Sequence, residues 1–211
     1  MRTLAVGVSL SRLFKSDARP ARSVGSMTDT RVLESVLTKT ADVVAGVAPD
    51  CGPDATPCTE YTVDELVHHM VCWVKVFAGA GAGEPPPSDP EAVSIVDPAG
   101  EFRAAAAKAV AGYARLADDD PVTLSSGSMP AAASVAMMTG EYLAHGWDLA
   151  IATGQPMPYT DEEAEVGRTG LAPLLSPEYR GTGMPFGDIV AVPEDASALE
   201  KFLAFSGRSP H

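Results

Sequence analysis

The sequence predicts an all-α fold: a four-helix bundle with a short C-terminal appendage, helical or irregular. Three observations carry that prediction. Apolar residues recur at helical spacing in four long, partly Ala-rich segments. Joins rich in Gly and Pro separate them, from a total of 19 Gly and 18 Pro in 211 residues. Two segments open on a Thr followed three residues later by a Glu, the reciprocal cap of a helix start.

The first helix is expected over residues 30–47, where Leu33, Val36, Leu37, Val43, Val44 and Val47 share a stripe. A loop with Pro49, Gly52, Pro53 and Pro57 follows. Thr62-Val63-Asp64-Glu65 caps the second helix, which should run to Phe77 and dissolve in Gly79, Gly81 and Gly83. Residues 84–90, EPPPSDP, must be an irregular connector, because Pro removes amide donors. The third helix is expected over 98–117, with Pro98 in its first turn and Phe102, Ala106, Val110 and Tyr113 or Ala114 on one face. Asp118 to Pro121 stop it, and a segment containing Ser and Gly leads on. The fourth helix, 131–153, is the longest apolar one and ends at Gly154 and Pro156. A shorter helix starts at Thr160, where Thr160 and Glu163 repeat the cap. Residues 173–193 read as loop, with an extended piece at Ile189–Val192, before a last helix over 196–205.

Residues 28–211 are therefore read as one domain. Residues 1–27 are read as a disordered or overlong tail, with Met27 as an alternative initiator. Residues 1–26 carry Arg2, Arg12, Lys15, Arg19 and Arg22 against Asp17 alone. The apolar patch from Leu4 to Leu10 is short, charges follow it closely, and no clean small-residue cleavage site comes after it, so it is not read as a targeting segment.

Composition excludes several classes. The formal charge is −13, from 15 Lys+Arg against 28 Asp+Glu, so a phosphate backbone is repelled and no nucleic-acid partner is expected. No membrane partner is expected either, since no unbroken apolar run reaches the length of a spanning helix. Cys51, Cys58 and Cys72 cannot all pair, which points to a reducing cytoplasm, and without a CxxC there is no basis for a cysteine zinc site. Neither GxxxxGK[ST] nor GxGxxG occurs.

The internal histidines sit on the second and fourth helices. His69 shares a face with Thr62, Leu66, Trp73 and Val76, and should point inward. His68 shares one with Asp64, Glu65, Cys72 and Lys75, and should point to solvent or a boundary. On the fourth helix Met138, Glu141, His145, Asp148 and Ala152 line one face. Glu141 and His145 are four apart, with Cβ atoms about 5–6 Å from each other, a separation suited to two ligands of one ion. A carboxylate in so apolar a helix is costly unless something positive compensates it, and no Lys or Arg lies between Arg115 and Arg168. A divalent metal held by His69, Glu141 and His145 is an economical answer, and three protein ligands with an open position is the pattern of catalytic zinc. Asp148 would act in the second shell, orienting an imidazole. The competing reading makes Glu141 a solvated edge residue and His145 a core histidine bound to a carbonyl. Met137 and Met138 are read as packing.

Tyr61-Thr62-Val63-Asp64-Glu65-Leu66-Val67-His68-His69-Met70 resembles the W-T-V-x-D-L-V-x-H-L segment of a metal-binding family common in actinobacteria. Glu141-Tyr142-Leu143-Ala144-His145-Gly146-Trp147-Asp148-Leu149-Ala150 is similar to its E-x-x-x-H-x-W-D-L-A segment, and Phe202 to Pro210 to its L-L-A-F-x-G-R-x-P close. That family belongs to the DinB-like group, with the N-terminal domain of mycothiol-dependent maleylpyruvate isomerase. The resemblance spans residues 30–210. It implies a bundle with zinc, or else nickel, near one end, and ligands at His69, Glu141 and His145. It also implies chemistry in which a low-molecular-weight thiol, mycothiol, adds to a small electrophile, as isomerase or S-transferase. Tyr61 departs from the family's Trp. The chain after the bundle leaves little room for the isomerase's separate C-terminal domain, so maleylpyruvate does not carry over as substrate. Two further readings stay open: a non-catalytic metal- or ligand-binding bundle, and a dimerisation or regulatory module with vestigial ligands. A homodimer is compatible with the composition.

Overall fold

The computed structural model describes residues 27–125, 127–181 and 186–210. The expectations for the tail up to residue 26 fall outside these. Helices α1 (Arg31–Ala45), α2 (Val63–Gly81), α3 (Pro98–Tyr113) and α4 (Ala131–Ala152) form the bundle, and α5 (Asp161–Leu171) and α6 (Ala198–Phe205) follow. The fold is all-α apart from one small hairpin. Helices α1 and α2 each pack against both α3 and α4, so the cyclic order is α1, α3, α2, α4. Leu33, Val36 and Leu37 of α1 meet Leu66, Met70 and Val74 of α2, Phe102 of α3 and Met138 and Leu143 of α4 in one core. No helix among the described residues is long and apolar enough to cross a membrane.

The caps act as their sequence dictates. Thr62 accepts the Glu65 amide while the Glu65 carboxylate accepts the Thr62 amide. Thr160 and Glu163 repeat the arrangement at α5, and Ser197 and Glu200 supply a third box, at α6. Each satisfies amides that a helix start leaves without partners.

Five expectations need correction. Helix α2 continues past Phe77 to Gly81, and α3 stops at Tyr113 rather than 117. The glycines that argued for an early end of α2 are what let the two helices touch. A Cβ on Gly112 would stand 2.8 Å from the Gly81 carbonyl, so the backbones meet where neither residue has a side chain. The segment with Ser and Gly is an antiparallel hairpin, β1 (Pro121–Leu124) on β2 (Gly127–Pro130), which seals the core with Val122, Leu124 and Met129. Ile189–Val192 forms no strand; its tie to the fold is the Val190 amide donating to the Ala204 carbonyl at 3.0 Å. Finally Cys72, expected on an outward face, is buried, because the connector after α2 covers that face. There His68 Nε2 lies 3.0 Å from the Val93 carbonyl, which puts His68 at a boundary.

Candidate metal centre

His69 stands in the second turn of α2, while Glu141, His145 and Asp148 stand on successive turns of α4. The bundle brings them together. The rings of His69 and His145 meet edge to face, 5.3 Å between centroids at 75°. His145 Nε2 is 3.5 Å from Glu141 Oε2, and His145 Nδ1 is 3.2 Å from Asp148 Oδ2. The Tyr61 ring lies against both imidazoles, and its hydroxyl is 3.2 Å from His69 Nδ1. The side chains of His145 and His69 are 10% and 18% exposed, that of Glu141 25%, and that of Asp148 not at all. The site is thus a sheltered recess with Glu141 and His69 on its open side.

Asp148 is neutralised by a residue from far along the chain. Arg208 Nη2 donates to Asp148 Oδ2 at 2.7 Å and Arg208 Nε to Oδ1 at 3.3 Å, a two-point grip. Arg208 Nη1 donates to the Ser206 carbonyl at 3.0 Å, which fixes the guanidinium after α6. Burial works against the Asp148 charge, but the hydrogen bond to His145 and the guanidinium outweigh it and hold the carboxyl below its ordinary range. For His145 burial is the largest influence and pushes its pKa down, against the pull of Asp148. Its imidazole is therefore neutral at pH 7.

That protonation state has a consequence. Nδ1 lies nearer to Asp148 than to the Arg208 Nη2 at 3.5 Å, so Nδ1 carries the hydrogen and donates it to the carboxylate. Nε2 then presents a lone pair to a Glu141 oxygen, itself an acceptor. In that tautomer His145 Nε2 has no hydrogen to give the oxygen 3.5 Å away. His69 has a similar partner: its Nδ1 is 2.8 Å from Glu91 Oε1, so a neutral ring with the hydrogen on Nδ1 keeps its lone pair on Nε2. By donor chemistry alone, two imidazole nitrogens and a carboxylate are ligands a divalent ion of borderline softness takes.

A different trio lies closer together in space. Ligating atoms of Cys58, His145 and Asp148 are all within 4.8 Å of one another. Both Asp148 oxygens are engaged by a buried guanidinium, however, and a dication placed there would face that charge at short range. Burial, then Asp148, also pushes the Cys58 thiol up, away from the thiolate a metal needs. The guanidinium on Asp148 and the raised Cys58 thiol both argue against a dication in this second trio.

Sequence reasoning alone gave no role to Cys58 or Glu91. Arg208 was visible only within the closing motif, without its partner. Nothing local marks Glu91, since its significance comes from the connector folding back over α2.

Residues 33–150 match the family model of the mycothiol maleylpyruvate isomerase N-terminal domain. The chain belongs to that family. The matched span of this isomerase N-terminal domain family runs from α1 to α4 and includes His69, Glu141, His145 and Asp148. Arg208, which secures Asp148, lies beyond it. Two Mycobacterium tuberculosis proteins, "Uncharacterized protein MT0763" of strain CDC 1551 / Oshkosh and "Uncharacterized protein Rv0738" of strain H37Rv, are each 31% identical over 172 residues, covering 80% of this chain and 91% of the relative. No solved structure matches.

Proposed function

We propose that this chain is a divalent-metal protein with His69 Nε2, Glu141 and His145 Nε2 as ligands, acting in thiol-dependent isomerisation or S-transfer on small electrophiles. The observation that carries the reading is His145 Nε2 lying 3.5 Å from Glu141 Oε2, with Asp148 on the other ring nitrogen. Such a pair costs energy in a sheltered recess unless a cation lies between. Zinc is the favoured ion and nickel the next, and mycothiol is the thiol that family membership suggests. When bound, the ion would lower the pKa of a thiol and hold it as the nucleophilic anion at neutral pH.

The protein's own residues set up that chemistry. Asp148 holds the His145 tautomer, and Arg208 keeps Asp148 ionised. The Tyr61 and Trp73 rings pack against the His69 imidazole. An isomerase would release the thiol after rotation about the bond it had saturated; a transferase would keep the adduct.

The test is metal content together with thiol addition to a generic electrophile, with and without chelator. Purified protein should hold close to one zinc or nickel per chain, and chelation should abolish the addition. His69→Ala should lose the metal and His68→Ala should retain it. A wild-type protein without metal, or with equal activity after chelation, would overturn the reading.

A further inference from the structure

We propose that Glu91, on the proline-rich connector, is a positioning residue of the metal centre, fixing which nitrogen His69 presents. The inference rests on the metal reading above and adds to it a residue from outside the bundle. Glu91 Oε1 is 2.8 Å from His69 Nδ1, and the Trp73 indole donates to the same oxygen at 3.3 Å. An anion at Nδ1 favours a hydrogen there, so a neutral ring keeps its lone pair on Nε2, with the His145 ring 5.3 Å away between centroids. Asp148 does the same for His145 from the opposite side. The two imidazoles are thus oriented by two carboxylates, one from the bundle and one from the connector.

The connector is built to hold that carboxylate still. Pro85, Pro86, Pro87 and Pro90 restrict its backbone. Glu84 pairs with Lys108 of α3 at 2.7 Å at one end. At the other, the Val96 and Asp97 amides donate to Glu101 Oε1 at 2.8 and 3.1 Å. Between them the Val93 carbonyl meets His68 Nε2, and Asp89 Oδ1 accepts the Glu91 amide at 3.1 Å. The Glu91 side chain itself is 46% exposed, so it contributes little to the core. A carboxylate tethered on both sides and aimed at a ligand nitrogen is suited to orienting that ligand.

The experiment compares wild type with Glu91→Ala and Glu91→Gln in two measurements. Ring-nitrogen NMR of the metal-free protein reads the His69 tautomer. Competition titration with Co(II) reads affinity, and circular dichroism verifies the helices. Wild type should show His69 protonated at Nδ1. Glu91→Ala should show a mixture of tautomers and bind cobalt about 10–100-fold more weakly. Glu91→Gln should fall between, since an amide still accepts but lacks the charge. The control, Lys108→Ala, loosens one anchor and leaves the carboxylate, and should change affinity by less than about threefold against that scale. If wild type binds cobalt and Glu91→Ala binds it equally well with an unchanged tautomer, the role given to Glu91 is overturned while the metal site stands. If wild type binds no cobalt, the metal reading itself is overturned.

Discussion

His145 has different surroundings at its two nitrogens, and the difference is maintained by a salt bridge it does not join directly. Asp148 touches both the imidazole and the Arg208 guanidinium. The expected result of Asp148→Asn is large: a buried cation left without its anion costs about 3–5 kcal/mol. Replacing both partners, as Asp148→Leu with Arg208→Met, should recover most of that stability, because an apolar pair of similar volume needs no desolvation to be offset. Metal affinity should stay about 10–100-fold low in the double variant, which offers Nδ1 no acceptor, and fall less in Asp148→Asn, whose amide oxygen still accepts. Urea midpoints and cobalt titrations on the same samples separate the two effects. Recovery of affinity in the double variant would show that Asp148 serves folding alone. Asp148 was legible in the sequence through its three-residue spacing from His145. Its partner was not, because the contact spans 60 positions and depends on how the chain closes after α6.

At the scale of elements, what the sequence revealed was local. The caps at Thr62 and Thr160 follow from four consecutive residues, so they were readable. The hairpin was not, because β1 alternates over only four residues and β2, Gly-Ser-Met-Pro, offers a single buried apolar residue. The length of α2 was hidden by its own glycines, whose low helix propensity is overridden by contact with α3. Glu163 shows one residue serving two elements. It caps α5 and also reaches α1, accepting from Lys39 Nζ at 2.7 Å and from Ser35 Oγ at 2.5 Å. Burial opposes its charge, but Lys39 and Ser35 outweigh it and hold its pKa below the usual 4.5. The unfolded chain therefore takes up a proton more readily than the folded one. The stability Glu163 supplies is fully present above about pH 4.5 and fades as pH falls through the lowered folded value. Glu163→Gln should remove about 1–2 kcal/mol at pH 7, where a charged hydrogen bond is lost, and the deficit should shrink below pH 4.5. A deficit that stays constant from pH 7 to pH 3 in denaturant titrations would show that the Glu163 charge contributes nothing.

For the whole molecule, the proposed ion would join α2 to α4, a helix pair that meets beside the site while α2 otherwise packs on α3 and α4 on α1. Family membership covers α1 to α4, so the scaffold that positions the ligands is the part most plainly shared with relatives. A ligand that binds only the folded chain stabilises it by mass action: at free zinc 100 times the dissociation constant the gain is about 2.7 kcal/mol. For a chain of this length that corresponds to a rise in Tm of roughly 5–10 °C. Chelator should reverse the rise, and the shift should grow with the logarithm of zinc concentration rather than saturate. His69→Ala should unfold near the metal-free wild-type temperature and give little response to zinc, because a His, Glu pair on one helix bridges nothing. His68→Ala should respond as wild type does. Differential scanning calorimetry across a zinc series measures all three chains. An equal rise in His69→Ala would place the ion elsewhere, at exposed acids of a chain with net charge −13, and would remove α2 from the centre.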